Sequence, residues 1–398
     1  PWPSFSKEEV KSVEGVLLSN KVNYWTGNEC RKFEKEFAAW SDSKYAVSLA
    51  NGTLALDIAF KALGLGNGDE VIVTSRSYIA SVTSIINSNA TPIFVDIDPI
   101  SQNITPDNIR AAITKKTKAI IPVHLYGQAC DMDGIMKLSK KYKIPIIEDH
   151  AQTVLATANN KIVGVRGDFA SWSFESSKHI SSGEGGMLLT NNSSLAQKAR
   201  KISGQGYANL TADGGVIKFG NDSNFLSPKF NRHDTLGWNY RMNEFTAAIA
   251  LAQLENIEEK VEKRVYVANK FLEIINQYEI LKPQHIPKGF SHSFFTLSCT
   301  IEKKGIDWIQ FRDKFNSFGG DGFYAAWQNP YNEKIIKSGN FRKRNEHIYK
   351  NIDYKNTSNP VAETLQKKII QFKTNYLRET EIKTQQSALA KTLNYFNY

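Results

Sequence analysis

Hydrophobic and polar positions along the first 210 residues switch repeatedly between a helical and an extended period. Ser6-Lys7-Glu8-Glu9 has the spacing of a capping box, and Val10, Val13, Val16 and Leu17 then recur at helical period. A second helix is predicted from Asn28 to Trp40, with Phe33 and Phe37 on one face. Tyr45-Ala46-Val47-Ser48-Leu49 reads as a buried strand that meets Asn51-Gly52-Thr53, and a helix-like run continues through Leu63. Strands follow at Glu70–Thr74, Pro92–Asp96 and Ala119–Val123, with another from Ile144 that ends at Glu148-Asp149. Between them lie helices from near Tyr78, from Thr105-Pro106 with its N-cap and first-turn proline, and from Asp131 to Tyr142. Phe169–Phe174 and Met187–Thr190 are further strands.

Strands alternating with amphipathic helices predict an α/β fold with a largely parallel sheet covered on both faces. In such sheets ligands bind at the carboxyl ends of the strands, so chemistry is sought there. Residues 206–235 are polar and glycine-rich and read as a long loop or flap. A long helix is predicted from Asn243 to Lys270, with Leu251, Leu254, Ile257 and Val261 in register. Beyond residue 275 the strands shorten and charge rises, which predicts a smaller α+β domain.

Composition narrows the class. At 398 residues, 41% hydrophobic and 23% charged, the chain is long enough to bury a core without staples and is neither disordered nor collagen-like. No apolar run reaches the ~20 residues of a membrane helix. Cys30, Cys130 and Cys299 show no metal-ligand spacing and suit a reducing, cytoplasmic compartment. Pro1 is not a natural start, so preceding residues are expected to be missing, and nothing visible reads as a targeting segment. The net charge of +10 raises nucleic acid, a membrane surface or a phosphorylated small molecule as partners. Of it, +7 lies after residue 250, and the densest cluster is only Arg342-Lys343-Arg344. Without an aromatic-interleaved basic stretch, a solvated basic surface is expected, with no nucleic-acid or membrane partner.

Three segments carry candidate chemistry. At Asn51-Gly52-Thr53 a strand turns through glycine into a helix, whose N-terminal N–H groups favour an anion such as phosphate. Taken alone, this is more often a plain strand–turn–helix corner. Asp149 ends a hydrophobic strand and serves equally well as a ligand, a counter-ion or the cap of the next helix. In the run from Ser171 to Gly186, Lys178 lies between a strand end and a glycine-rich turn. Most lysines are surface residues. One held in such a place is desolvated, which lowers its pKa and makes its amine nucleophilic toward carbonyls. A phosphate seat, a carboxylate for a pyridinium nitrogen and an imine-forming lysine are together the three demands of pyridoxal phosphate.

On these residues the chain resembles the DegT/DnrJ/StrS nucleotide-sugar aminotransferases, of the aspartate aminotransferase fold (fold type I). The matching stretches are Asn51–Leu56, Gly66–Val73, Glu148-Asp149-His150-Ala151-Gln152, Ser173–Gly186 and Gly237–Met242. The lysine-to-glycine run is specific in combination with an aspartate 29 positions earlier. The resemblance implies a large domain, residues 1–255, with a mostly parallel mixed seven-stranded sheet between helices. A smaller C-terminal α+β domain would span 256–398, with the N-terminal helix free to pack on it.

It also implies roles. Lys178 would hold the cofactor and shuttle the proton, and Asp149 would pair with the pyridinium nitrogen. Gln152 would sit near the phenolic oxygen, and Gly52, Thr53 and Ser173 would hold the phosphate. Tyr78 would stack on one ring face and Ala151 would pack under the other. Asn239 would reach the phosphate from a neighbouring subunit, which implies a homodimer with shared active sites. Thr26, beside Trp25 and Gly27, lies where the family meets the sugar. His150 departs from the small residue usual there and is expected to be a satisfied, semi-buried histidine away from the ring. His179 is likewise expected to be structural.

The family's colitose-type dehydratases carry histidine at the lysine position, and a histidine cannot form an imine. Lys178 therefore argues for transamination. The expected activity is transfer of an amino group from an amino acid, by resemblance L-glutamate, through pyridoxamine 5'-phosphate to a nucleotide-linked keto-sugar. The Asn239–Met242 context leans toward C4-aminating, perosamine-synthase-like members that serve polysaccharide (O-antigen) biosynthesis. A sugar dehydratase or a cyclitol aminotransferase on the same fold is the alternative. A non-catalytic basic regulator is the remote one, and no metal is expected.

Overall fold

The computed structural model describes residues 2–164, 166–215, 227–322, 324–344, 346–349 and 352–397. Residues 216–226 of the expected flap lie outside the described residues. The strands are, in chain order, β1 (Tyr45–Leu49), β2 (Glu70–Thr74), β3 (Thr91–Val95), β4 (Thr117–Ile121), β5 (Ile147–Asp149), the short pair β6 (Thr157–Ala158) and β7 (Lys161–Ile162), β8 (Phe169–Ser173), β9 (Gly186–Thr190), β10 (Leu281–Pro283), β11 (Thr296–Ile301), β12 (Tyr324–Ala325) and β13 (Ile369–Lys373).

Two hydrogen-bonded groups, β1-β9-β8-β5 and β3-β2-β4, join through parallel bridges Ile120–Ile146 and Val123–Asp149. The result is one seven-stranded sheet of order β1-β9-β8-β5-β4-β2-β3. β9 runs antiparallel to both its neighbours, whereas β8–β5, β4–β2 and β2–β3 are parallel. Helices cover both faces, so alternate residues of one strand enter different cores. Val71 and Val73 of β2 pack with the helices Gly52–Leu63 and Ala80–Asn87, while Ile72 packs with Met132 and Ile135 on the other face. Both sets are fully buried, which explains the near-continuous apolar strands seen in the sequence.

Local signals place the flanking helices. The capping box at Ser6 and Glu9 starts Lys7–Ser19, and Thr105 caps Pro106–Ala112 by accepting from Asn108 N–H. The helix Lys7–Ser19 packs on Glu244–Leu254, within the expected large domain. The long helix expected from Asn243 is two helices, Glu244–Leu254 and Ile257–Ile275. The break falls at Asn256, whose φ of −117° leaves the helical range. It lets an alanine-rich helix bury itself on the large sheet while the next one reaches the second sheet.

That second sheet, β10-β11-β13-β12, is antiparallel and shares a core with the helices Ile257–Ile275, Trp308–Ser317 and Glu379–Asn397. The C-terminal segment between them does not stay with it. Ile336, Phe341, Tyr349 and Tyr354 enter the core of the large sheet, and Tyr354 Oη donates to Pro92 O at 2.8 Å. Among the described residues, no helix is long and apolar enough to cross a membrane.

Candidate active site

The carboxyl ends of the parallel strands open into one cavity of about 690 Å³. β1 delivers Asn51, Gly52 and Thr53 to its wall, and β2 is followed there by Ser77 and Tyr78. β4 leads to Val123, β5 ends on Asp149, and β8 ends on Ser173 with Glu175 and Lys178 beyond it. Phe295 and Trp327 reach the same cavity from the C-terminal part. Of the residues singled out in the sequence, Gly52, Thr53, Tyr78, Asp149, Ala151, Gln152, Ser173 and Lys178 therefore share one wall-to-wall site.

The anion seat is built by a cap and two glycines. Asn51 Oδ1 accepts from Leu54 N–H at 3.0 Å and starts the helix Gly52–Leu63, whose N-terminus meets the cavity. At Gly52 a Cβ would lie 2.8 Å from Ser173 Cβ and 3.1 Å from Trp172 O. At Gly186 a Cβ would lie 2.4 Å from Asn51 C. Glycine at both places lets the helix N-terminus and the end of β8 close on each other, so the helix N–H groups and the Ser173 hydroxyl serve one anion.

Asp149 is 5% exposed. Its Oδ2 accepts from Ser81 Oγ at 2.9 Å and its Oδ1 from Ala151 N–H at 3.0 Å. Burial raises its pKa above the ordinary aspartate value, against the lowering effect of those donors and of Lys178 and His124. Such a carboxylate is short of a cation. Gln152 is buried, and its Oε1 accepts from Tyr126 N–H at 3.0 Å, which fixes the amide beside Ala151.

Lys178 is partly buried, with its Nζ 4.6 Å from the centre of the Phe295 ring. Burial lowers its pKa from the ordinary lysine value; Glu175 and Asp149 oppose that, and Arg264 adds to it. The amine is thus biased toward its neutral, nucleophilic form. Its backbone N–H donates to Glu175 O at 2.9 Å, so the turn that carries it is closed on itself.

Several residues at the site leave no separate signal in the sequence. Ser81 sits 68 positions from the aspartate it serves, inside an apolar helix. Phe295 and Trp327 come from beyond residue 290. Tyr78 is 56% exposed and packs edge-on against Trp327, with ring centres 5.3 Å apart. Ser81 does have a readable place, one helical turn after Ser77, whose hydroxyl it meets at 2.8 Å.

Behind Asp149, on the other face of β5, lies a second cluster. Glu148 Oε1 accepts from Arg166 and Gly167 N–H at 2.9 and 2.6 Å, and Oε2 from His124 Nε2 at 3.3 Å. His150 is not semi-buried and satisfied, as expected, but 1% exposed and stacked on Trp172. Its Nε2 lacks a hydrogen bond and lies 3.6 Å from Glu148. The strand places it there, because a residue following Asp149 must face away from the cavity. His124, Glu148 and His150 are close enough together to invite comparison with a metal site. However, Cys130 N–H donates to His124 Nδ1 at 3.0 Å, so Nε2 carries the ring's proton and points it at Glu148. His124 and Glu148 are joined by a hydrogen bond, with His150 packed beside them. His179 is buried as well, with Nε2 donating to Ser293 O at 3.0 Å.

Thr26 and Asn239 do not reach the cavity. Thr26 is exposed, its hydroxyl turned to Asn23. Asn239 is exposed on a segment with Leu236 and Trp238, which are 87% and 42% exposed.

The DegT/DnrJ/EryC1/StrS aminotransferase family model matches residues 3–371. A GDP-perosamine synthase of Caulobacter vibrioides is 43% identical over 275 residues, 68% of each chain. The X-ray structure of an aminotransferase from Psychrobacter cryohalolentis superposes with a TM-score of 0.89 at 36% identity, covering 100% of this chain and 99% of that one. An E coli GDP-4-keto-6-deoxy-D-mannose-3-dehydratase with bound hydrated PLP is 26% identical, with a TM-score of 0.80 and coverage of 98% and 99%.

Proposed function

This chain belongs to the DegT/DnrJ/EryC1/StrS aminotransferase family, and we propose that it moves an amino group from an amino acid to the C4 carbon of a nucleotide-linked 4-keto-6-deoxy-sugar. The carrying observation is the meeting of Asp149, Lys178 and the N-terminus of Gly52–Leu63 in one cavity. The similarity to a GDP-perosamine synthase supports the sugar class and a GDP-linked substrate.

Pyridoxal 5'-phosphate is the cofactor, and the residues fit it. Asp149 offers a buried carboxylate with no ion pair among the described residues and a raised pKa, a place that suits a protonated ring nitrogen. The close approach that Gly52 and Gly186 permit brings the helix N-terminus, Thr53 and Ser173 together as a phosphate cradle. When bound, this cofactor supplies an aldehyde for imine chemistry and an electron sink for the carbanion at the donor's Cα.

The protein's own residues do the rest. Lys178 holds the cofactor covalently between turnovers. Its Nζ, once free, would take the donor's Cα proton and deliver it two atoms along, to the cofactor's C4′ carbon. General acid–base help of this kind contributes about 10²–10⁴-fold. Its desolvated setting keeps enough neutral amine for that work. Asp149 keeps the ring nitrogen protonated, and Ser81 and Ala151 N–H keep Asp149 ionised and aimed. Gln152 would meet the ring oxygen, Ala151 would leave room for the ring, and Tyr78 would stack on it, all three lining the cavity.

L-glutamate as donor, a cytoplasmic location and a homodimer with shared sites belong to the same reading. Three buried free thiols suit a reducing compartment. The exposed apolar Leu236 and Trp238 beside Asn239 suit a subunit contact that would carry Asn239 to the partner's phosphate seat. Thr26 remains the light candidate for the sugar. A large unit of residues 1–255 and a smaller one of 256–398 are kept, with the segment around 336–354 returned to the large unit's core.

The test is incubation of the holoenzyme with L-glutamate and a panel of nucleoside diphosphate 4-keto-6-deoxy-sugars, with products read by mass spectrometry and NMR. A 4-amino-4,6-dideoxy product from the GDP-linked sugar supports the reading. Amination at C3 alone, or loss of water without amination, overturns it.

A further inference from the structure

Arg264, on the helix Ile257–Ile275, is 2% exposed, and no ion pair among the described residues includes it. Its guanidinium is instead held by neutral oxygens from three segments. Nη2 donates to Ser177 O at 3.3 Å, and Nη1 to Phe295 O at 3.0 Å and Thr374 Oγ1 at 3.4 Å. Nε has no partner. Two rings close the remaining sides: Trp2 at 4.6 Å and Phe295 at 5.9 Å from the guanidinium carbon. Phe295 is the ring against which Lys178 Nζ lies at 4.6 Å. Ser177 is the residue before that lysine.

A buried guanidinium without a carboxylate is costly, and a core needing only a donor to three oxygens could use a less costly group. Burial pulls its pKa down, yet a guanidinium stays charged at neutral pH. We propose that Arg264 is a positioning residue for Lys178: its fork fixes the peptide unit that precedes the lysine, and its uncompensated charge sits behind the amine. This rests on the aminotransferase reading only for its purpose, because the effect on the amine exists without turnover.

The charged and titratable groups facing Lys178 are Glu175 and Asp149, which favour its cation, and Arg264, which opposes it. His179, next in sequence, is buried and donates to Ser293 O, with its protonated form strongly disfavoured, chiefly by burial. Without Arg264, burial alone would oppose the two carboxylates, and the balance at the amine would move toward its protonated form. With it, the guanidinium adds to burial in favouring the neutral amine that imine formation and proton transfer use. Trp2 matters because it keeps water from screening the guanidinium.

The experiment is competitive labelling of the full-length, cofactor-stripped protein with acetic anhydride across pH, the extent at Lys178 read by peptide mass spectrometry. Arg264→Gln is expected to raise the labelling midpoint of Lys178 by about 0.5–1 pH unit. Arg264→Lys, which keeps a cation there as far as the buried amine stays protonated, is expected to raise it less than Arg264→Gln does. Trp2→Ala is expected to raise it part of the way, and it decides the matter if Arg264→Gln does not fold by circular dichroism. Equal midpoints in wild type and in every folded variant that removes or hydrates the charge would overturn the proposal. So would equal shifts in Arg264→Lys and Arg264→Gln. Failure of the transamination reading would look different: a low wild-type midpoint with no glutamate-dependent formation of pyridoxamine phosphate.

Discussion

Glu148 and Asp149 are consecutive carboxylates at the end of β5 whose pKa values the fold shifts in opposite directions. Strand alternation sends one to each face of the sheet. Burial opposes the charge of both. For Glu148 that penalty is outweighed by the hydrogen bond from His124 and the proximity of His150, with Arg166 and Gly167 N–H also donating, so its pKa falls well below the ordinary carboxylate range. Among the described residues Asp149 accepts only from Ser81 Oγ and Ala151 N–H, and burial raises its pKa. The first carboxylate is structurally complete; the second is completed by a cation.

Asp149→Asn therefore trades stability against activity. A carboxyl whose folded pKa is raised contributes stability below its unfolded value and loses it as pH rises through the folded value. Ionised Asp149 thus weakens the cofactor-free protein at neutral pH. The variant is expected to melt higher than wild type at pH 7 without cofactor, and no higher at pH 3. Glutamate-dependent conversion of the cofactor is expected to fall by about 10²–10³-fold. Thermal melts at the two pH values and single-turnover spectra check this.

Glu148→Gln carries the opposite sign. A depressed pKa contributes stability above the unfolded value and loses it as pH falls toward the folded one. The variant is expected to lose about 1.5–3 kcal/mol at pH 7. The gap from wild type should narrow as pH drops below the ordinary glutamate value of 4.5. Urea unfolding at pH 7 and pH 3.5 measures it.

Gly52→Ala places a methyl 2.8 Å from Ser173 Cβ. The corner must open, at about 1–3 kcal/mol. The phosphate cradle opens with it, so pyridoxal phosphate is expected to dissociate more readily. Spectral titration of the stripped variant with the cofactor reads the affinity, and a melt reads the stability.

Tyr78→Ala removes a half-exposed ring that packs on Trp327. An aromatic pair of this kind is worth about 0.5–1.5 kcal/mol. Cofactor affinity is expected to fall by up to about tenfold, and the cofactor-free protein to melt a few degrees lower through loss of the Trp327 contact. The same titration and melt decide it.

Much of this site is legible in the chain because its parts are local. The Asn51-Gly52-Thr53 corner, the strand ending on Asp149 and the lysine before a glycine turn each combine a period change with a chemical group. The rest depends on residues far apart in sequence. Ser81 reads as one more small residue on an apolar helix until β5 is set beside it. Phe295, Trp327 and Arg264 gain their roles from the second sheet and the helix packed on it, whose placement no local pattern encodes. The break at Asn256 is hidden because both helices share an apolar period across it. His150 is more deeply buried than its own segment indicates, because its cover comes from Trp172 and His124, which belong to other segments.

The central claim is that Lys178 and Asp149 perform transamination. Purified holoenzyme mixed with L-glutamate alone, without sugar, tests it most directly. One equivalent of 2-oxoglutarate and one of pyridoxamine phosphate per site are predicted, with no conversion in Lys178→Ala. Holoenzyme whose cofactor is bound to Lys178, yet stays unconverted by glutamate and every other amino acid offered, would contradict the account.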